Sequence, residues 1–222
     1  MPIKLAVFDM DGVLTKEKSS WGFVNRRLGI DNSSNLESLR NGKIEYKDLF
    51  IKEVKDWLRV DKGFSGDALL RILSEIKLVD NLQRSIREVS EMGISCAIIS
   101  GGLYPLASRI AGMTGIKIVH ANDILLNEQG ILTPRGKIMV DPTRKDRVIA
   151  EVQKSLEVRE DETVSIGDSP EDEKMFIRSG KSIFISHSHE NQSKVATLTL
   201  EAGDLAPVAS KIKEWNYTES RY

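Results

Sequence analysis

Asp9 and Asp11 stand two residues apart in Asp9-Met10-Asp11-Gly12, directly after the apolar run at residues 3–8. Gly12 lets the chain turn there, so two carboxylates would leave the end of a buried strand together. Ser100-Gly101-Gly102 closes a second apolar run, residues 95–100, just before a helical pattern. Small residues at such a point let backbone N–H groups approach an anion. Asp168 follows a third run at residues 163–166, Asp172 comes four residues later at a helix start, and Lys145 opens the helix before that strand. Each cluster alone has an ordinary explanation: a polar loop, a turn, acids favoured by a helix dipole, a surface lysine. The dipole does not explain why Asp168 follows a strand as Asp9 does. Together the clusters supply what phosphoryl transfer needs: a nucleophile, an acid for the leaving oxygen, donors for the equatorial oxygens and a divalent cation. Asp9 could attack and Asp11 could handle the proton. The Ser100 hydroxyl and the Gly101 N–H could donate, and Lys145 could neutralise charge. Asp9 and Asp168 could share Mg²⁺, a hard ion that takes one or two carboxylates plus waters and phosphate. Other site chemistries lack their signatures: there is no P-loop and no dinucleotide fingerprint, and an EF-hand loop fails because Gly12 follows Asp11 directly.

The elements that must hold these residues alternate. Apolar strand-like runs at residues 3–8, 95–100, 163–166 and 182–186 are separated by helical stripes such as Leu82, Ile86 and Val89, then Leu106, Ile110 and Met113, then Val148, Ile149, Val152 and Leu156. Residues 123–139 read as a hairpin around Gln129-Gly130. This pattern predicts an α/β fold, a doubly wound, Rossmann-like parallel sheet covered on both faces. Residues 16–79 break the rhythm with helical patterns only. Trp21, Val24 and Leu28 form a stripe closed by Gly29, Ser34 and Glu37 are spaced as a capping box, and Tyr46 to Leu58 carry the strongest helical face. The expected organisation is a core of residues 1–15 and 80–222 with a small helical cap, 16–79, inserted after the first strand. Trp21, Trp57 and the apolar face around residue 50 read as the interior of that cap, and Trp215 and Tyr217 as pins for the last helix.

With 32 Lys and Arg against 33 Asp and Glu, the net charge of −1 gives no reason to expect a nucleic-acid partner or an anionic membrane. No run approaches the ~18 apolar residues of a membrane span. The start of the chain meets Asp9 after a short apolar run, unlike a secretory signal, and Cys96 has no second cysteine to pair with. A cytoplasmic location is expected, with the rim of the insert as a possible homodimer contact.

The motifs D-M-D-G-V, a strand-terminal Ser-Gly-Gly, a helix-initiating Lys and G-D-S-P-E-D occur here in the order of the haloacid dehalogenase-like (HAD) hydrolase superfamily. The chain resembles its phosphoserine phosphatase-like branch most in the Ser-Gly-Gly sequence and in size. The resemblance implies a Mg²⁺-dependent phosphomonoester hydrolase working through a phosphoaspartyl intermediate, with a small phosphorylated metabolite as substrate. Asp9 would be the nucleophile and Asp11 the acid and then the base. Mg²⁺ would be held by the Asp9 side chain, the backbone carbonyl of Asp11 and Asp168, while Asp172 would orient Lys145 or a metal-bound water. Dehalogenating members lack the second aspartate and transport ATPases carry Thr there, so Asp11 favours hydrolysis.

Alternatives remain at this level: a receiver-like signalling module, which has no place for the insert; a phosphomutase or phosphotransferase; phosphoserine phosphatase proper. Against the last, caps of that family carry a Glu for the substrate's ammonium and an Arg for its carboxylate, where ungapped comparison puts Lys18 and Glu53 here; Arg59 or Lys52 could stand in for the Arg. Glu171 also stands where that family usually has Asn. These reversals predict that phosphoserine is a poor substrate. His187 and His189 form an H-x-H with no third ligand and read as a polar loop.

Overall fold

Residues 5–8 are Leu-Ala-Val-Phe, apolar and without exposure on either face, a composition that suits only a strand covered from both sides. The computed structural model of the chain, which describes residues 2–188 and 193–219, places them at the centre of one sheet. Among the described residues the strands are β1 (Leu5–Phe8), β2 (Ser95–Leu103), β3 (Ile118–Leu126), β4 (Leu132–Lys137), β5 (Thr163–Gly167), β6 (Lys181–Ser186) and β7 (Leu198–Glu201). Their order is β4-β3-β2-β1-β5-β6-β7, and every neighbouring pair is parallel except the β3–β4 hairpin. The winding therefore reverses at β1, with β2 on one side and β5 on the other.

Alternate residues of β1 feed two apolar layers. Ala6 and Phe8 join Ile98, Val164 and Ile166 on one face. Leu5 and Val7 join Ala97 and Ile99 on the other. The helices are α1 (Ser20–Leu28), α2 (Ser33–Arg40), α3 (Tyr46–Val60), α4 (Gly66–Ser74), α5 (Leu82–Glu91), α6 (Tyr104–Thr114), α7 (Lys145–Leu156), α8 (Glu173–Phe176) and α9 (Ala206–Glu219). Helices α5, α6 and α9 pack on the first face, and α7 and α8 on the second. None of the described helices is long and apolar enough to cross a membrane.

Helices α1–α4 form the insert. The chain leaves and returns through a single gate, where Thr15 bridges Leu78 and the Lys16 N–H donates to the Lys77 carbonyl at 2.8 Å. The insert is not a separate apolar body: Phe50, Val54 and Trp57 belong to the same cluster as Phe8 and Ile98. It also docks by backbone on the hairpin, with the Leu132 N–H donating to the Phe64 carbonyl at 3.0 Å and the Gly66 N–H to that of Gly130 at 2.9 Å.

Several expectations change. Strand β2 runs through Ser100-Gly101-Gly102 to Leu103, so these residues lie within the strand and α6 starts only at Tyr104. The Ser34–Glu37 capping box is absent, because α2 begins at Ser33 after Asn32 with no side-chain cap bond. Strand β7 is additional: a half-buried four-residue edge strand has too little apolar patterning to declare itself. Trp215 packs against the core as expected, but Tyr217 is 62% exposed and pins nothing.

Candidate active site

In a doubly wound sheet, ligands bind outside the carboxyl ends of the strands where the winding reverses, here the ends of β1, β2 and β5. Asp9 follows β1 and continues its pairing, its N–H donating to the Ile166 carbonyl at 2.9 Å. The loop then bends sharply at Gly12, whose φ of +75° suits glycine. A Cβ at Gly12 would stand 2.1 Å from Asp168 Oδ2, so glycine is also what lets the first loop close on the loop after β5. The close approach brings Asp9, Asp11, Lys145, Asp168 and Asp172 together, all buried.

Lys145 Nζ lies 2.6 Å from Asp172 Oδ1 and 3.1 Å from Asp9 Oδ1. The contact with Asp9 is an ion pair without hydrogen-bond alignment, which leaves Asp9 Oδ1 buried with no hydrogen bond; Asp11 Oδ1 is likewise without one. Asp172 is the opposite case. Its Oδ2 accepts from the N–H groups of Asp168 and Ser169, each at 3.0 Å, and from the Ser169 hydroxyl at 2.7 Å. Asp9, Asp168 and Asp172 each bring a carboxylate oxygen within 4.8 Å of the others. Asp172 is committed to Lys145 and to the 168–169 backbone, so Asp9 and Asp168 are the carboxylates open to a cation.

Burial pushes the Asp9 carboxyl up to about 8; Lys145 opposes this, and Asp172, Asp168 and Asp11 add to it. Burial lifts Asp11 to about 6 against two hydrogen bonds from Ser20, and it lifts Asp168 against a bond from His187. For Lys145, burial alone would lower the pKa, but the carboxylates of Asp172 and Asp9 outweigh it and keep the ammonium charged. Three crowded carboxyls with raised pKa values and two orphaned oxygens form a donor set that fits a hard divalent cation.

Sequence reasoning missed the residues that hold this set in place. The Ser20 N–H and hydroxyl donate to Asp11 Oδ2 at 2.8 and 2.7 Å, while the Ser20 hydroxyl oxygen accepts from the Leu103 N–H at 3.1 Å. A Cβ at Gly102 would lie 2.6 Å from Asp11 Oδ2, so the second glycine of Ser-Gly-Gly makes room for the acid. The Ser100 hydroxyl, 1% exposed, accepts from the Gly102 N–H at 3.1 Å. The Gly101 carbonyl takes three donors: Trp21 Nε1 at 3.1 Å, the Tyr46 hydroxyl at 2.8 Å and Asn122 Nδ2 at 3.0 Å. Two of these come from the insert, so the strand segment is clamped across the sheet–insert boundary. Asn122 is fully buried and also accepts from the Met139 and Val140 N–H groups. Nothing short-range in the sequence marks Asn122; for Ser20 the available signal is Ser19, which caps the start of α1.

His187 is more than a polar loop residue. Its Nε2 lies 3.0 Å from the Gly12 carbonyl and 3.2 Å from Asp168 Oδ2, bracing the loop after β6 against the two others. His189 lies outside the described residues.

A cavity of about 500 Å³ separates these strand ends from the insert. Trp57 is fully buried, as expected of an interior residue, but Trp21, Leu49 and Phe50 line the cavity, so the face around residue 50 is also a wall. Lys18 and Glu171 contribute to the lining too, Lys18 as an exposed residue. Glu53 lies on the same wall, 3% exposed. Its Oε2 accepts from Asn25 Nδ2 at 2.6 Å and its Oε1 from Asn32 Nδ2 at 2.9 Å.

The reversal of winding at a pair of strand-end aspartates, faced by a buried lysine and a third aspartate, defines a haloacid dehalogenase-like hydrolase. The chain belongs to that family, whose profile matches residues 3–180. Among curated proteins it is similar to a phosphoserine phosphatase of Archaeoglobus fulgidus, 28% identical over 213 residues, which is 95% of this chain and 60% of that protein. It is also similar to one of Methanocaldococcus jannaschii, 22% identical over 212 residues, 95% of this chain and 98% of that protein. The chain spans 60% of the length of the Archaeoglobus relative and of a probable phosphoserine phosphatase from Schizosaccharomyces pombe. Among solved structures, a phosphoserine phosphatase holding a phospho-aspartyl intermediate analogue superposes with a TM-score of 0.78 at 20% identity, covering 95% of this chain and 99% of that one. At that identity the superposition speaks to the fold.

Proposed function

We propose that the protein is a Mg²⁺-dependent phosphomonoester hydrolase that turns over a small phosphorylated metabolite through an aspartyl phosphate on Asp9, with helices α1–α4 (residues 16–79) acting as a cap over the site. The observation that carries this reading is the pair of buried carboxylates after β1, each with an oxygen free of hydrogen bonds, opposite Lys145 and Asp168 in one cavity. Asp9 attacks phosphorus, and the bond to the alcohol oxygen breaks. Asp11, whose carboxyl burial lifts toward neutrality, gives a proton to the departing oxygen. Asp11, now a carboxylate, takes a proton from water as its oxygen attacks phosphorus. The bond to Asp9 then breaks, releasing phosphate and restoring both groups. The Ser100 hydroxyl, the Gly101 N–H and Lys145 hold the phosphoryl oxygens, and Asp172 keeps Lys145 charged and aimed. The side chains of Asp9 and Asp168 and the backbone carbonyl of Asp11 would hold Mg²⁺, which supplies positive charge against the repulsion between carboxylates and phosphate.

Phosphoserine is expected to be a poor substrate despite the relatives' names, because Glu53 occupies the wall where a carboxylate would need a cation. The test of the catalytic reading is release of inorganic phosphate from p-nitrophenyl phosphate with Mg²⁺, together with intact-mass detection of an adduct on wild type or on Asp11→Asn that Asp9→Asn never shows. Phosphate released with the adduct on another residue overturns the assignment of Asp9. No phosphate release from any monoester overturns the hydrolase reading.

A further inference from the structure

Glu53 is a carboxylate buried to 97% on the wall of the substrate cavity, and among the described residues no lysine, arginine or histidine forms an ion pair with it. Its two partners, Asn25 on α1 and Asn32 before α2, are neutral amides. Asn25 is fixed in turn, its Oδ1 accepting from Trp57 Nε1 at 2.5 Å, which sets its amide to donate toward Glu53. The bonds orient the carboxylate without an ion pair, and Lys52, which pairs with Asp56, acts on it only from a distance. A carboxylate oxygen has two acceptor sites, so each oxygen keeps capacity after one amide bond. Burial raises the Glu53 pKa, and the two amides oppose that rise. A buried charge without a counter-ion is costly, and the cost is repaid when a cation enters beside it. The same wall carries Trp21, Tyr46 and Phe50, aromatic rings of the kind that attract ammonium groups through their faces. Lys18, a cation among the described lining residues of the insert, is exposed, so water screens its field far more than that of Glu53.

We propose that Glu53 is the receptor for a cationic group on the substrate, and that the preferred substrates are phosphomonoesters of amino alcohols that carry an ammonium and no carboxylate. This deepens the hydrolase reading above and rests on it. The phosphate end sits at Asp9 and Lys145, and the ammonium end sits at Glu53 among the aromatic rings. The charge that would repel the carboxylate of phosphoserine attracts the amine of a simpler ester.

The deciding comparison is kcat/KM of the full chain with Mg²⁺ for 2-aminoethyl phosphate against 2-hydroxyethyl phosphate, which differ chiefly in ammonium for hydroxyl, with phosphoserine beside them. The amino ester is expected to lead each of the others by about tenfold or more, in line with a desolvated charge pair. In Glu53→Gln the ratio between the amino and hydroxy esters should fall toward one. In Glu53→Lys it should invert in favour of a carboxylate-bearing ester such as phosphoglycolate. Equal rates for the amino and hydroxy esters in wild type, a lead for phosphoserine, or a preference that survives Glu53→Gln each overturns the proposal. Calorimetric titration of both esters into Asp9→Asn reads the subsite without turnover. A preference for the amino ester there supports it even if hydrolysis fails, and equal affinities overturn it while leaving hydrolysis standing.

Discussion

Two buried acidic clusters face each other across one cavity, and they are built in opposite ways. At the strand ends, Asp9 and Asp11 each keep an oxygen without a hydrogen bond, while Lys145 and Asp172 form a fully engaged pair beside them. In the insert, each oxygen of Glu53 accepts from one amide, and among the described residues no ion pair answers it. The first cluster keeps acceptor sites open at the reacting atoms and supplies a fixed cation, which is what bond making needs. The second fixes a charge in place without neutralising it, which suits selection. On the proposed reading, chemistry and choice of substrate fall to different layers of the molecule, and substitutions should separate them.

The largest effect is expected from Asp9→Asn, which removes the proposed nucleophile and proposed cation ligand from the strand-end cluster. Turnover should fall by several orders of magnitude, each ~1.4 kcal/mol of barrier being tenfold, with far-UV circular dichroism unchanged. Retention of a tenth of wild-type kcat would remove Asp9 from that role. Asp11→Asn should cost about 10²–10⁴ in kcat, the usual worth of general acid–base help. The loss should be smaller for p-nitrophenyl phosphate, whose leaving group needs little protonation, and a uniform loss across leaving groups would argue against proton transfer by Asp11.

Asp168→Ala should raise the Mg²⁺ concentration needed for half-maximal activity sharply, because Mg²⁺ tolerates poor octahedral geometry badly. An unchanged metal titration would detach Asp168 from the ion. The same cluster predicts a pH signature in chelated protein. Asp9 is lifted from 3.8 to about 8 on folding, so between these values the folded chain binds a proton that the unfolded chain lacks. Stability should therefore fall as pH rises across that window. Added Mg²⁺ should raise Tm most at its upper end, and Asp9→Asn should flatten the slope relative to wild type; parallel slopes would contradict the raised pKa.

The smallest expected effect lies at the boundary between the two regions. Tyr46→Phe removes one of three donors to the Gly101 carbonyl and also the hydroxyl that accepts from Asn122 Nδ2 at 2.8 Å, while Trp21 and Asn122 still donate to that carbonyl. Losing these two hydrogen bonds, each worth about 1 kcal/mol, should raise KM several-fold and lower Tm by only a few degrees. A change in Tm with KM unaltered would make the clamp merely structural.

Strand β1 could be read directly because it is buried on both faces, and a run of Leu-Ala-Val-Phe then Asp has few other uses. The positions of Asp9, Asp168 and Lys145 followed, since strand ends and helix starts are local features and the doubly wound rule places ligands beyond them. The helices of the insert were legible from their stripes, whereas Glu53 was singled out only through the family resemblance. What tertiary structure alone decided were the contacts between residues far apart: Ser20 on Asp11, Asn122 on the Gly101 carbonyl, His187 across 175 residues to the Gly12 carbonyl. Such partners leave no periodic trace, because a single polar side chain looks the same in sequence whether it meets water or a buried carbonyl. The same holds for charge. Lys18 and Glu53 are equal and opposite as letters, but one is exposed and the other buried, and burial, through the screening it removes, sets which charge reaches further into the cavity.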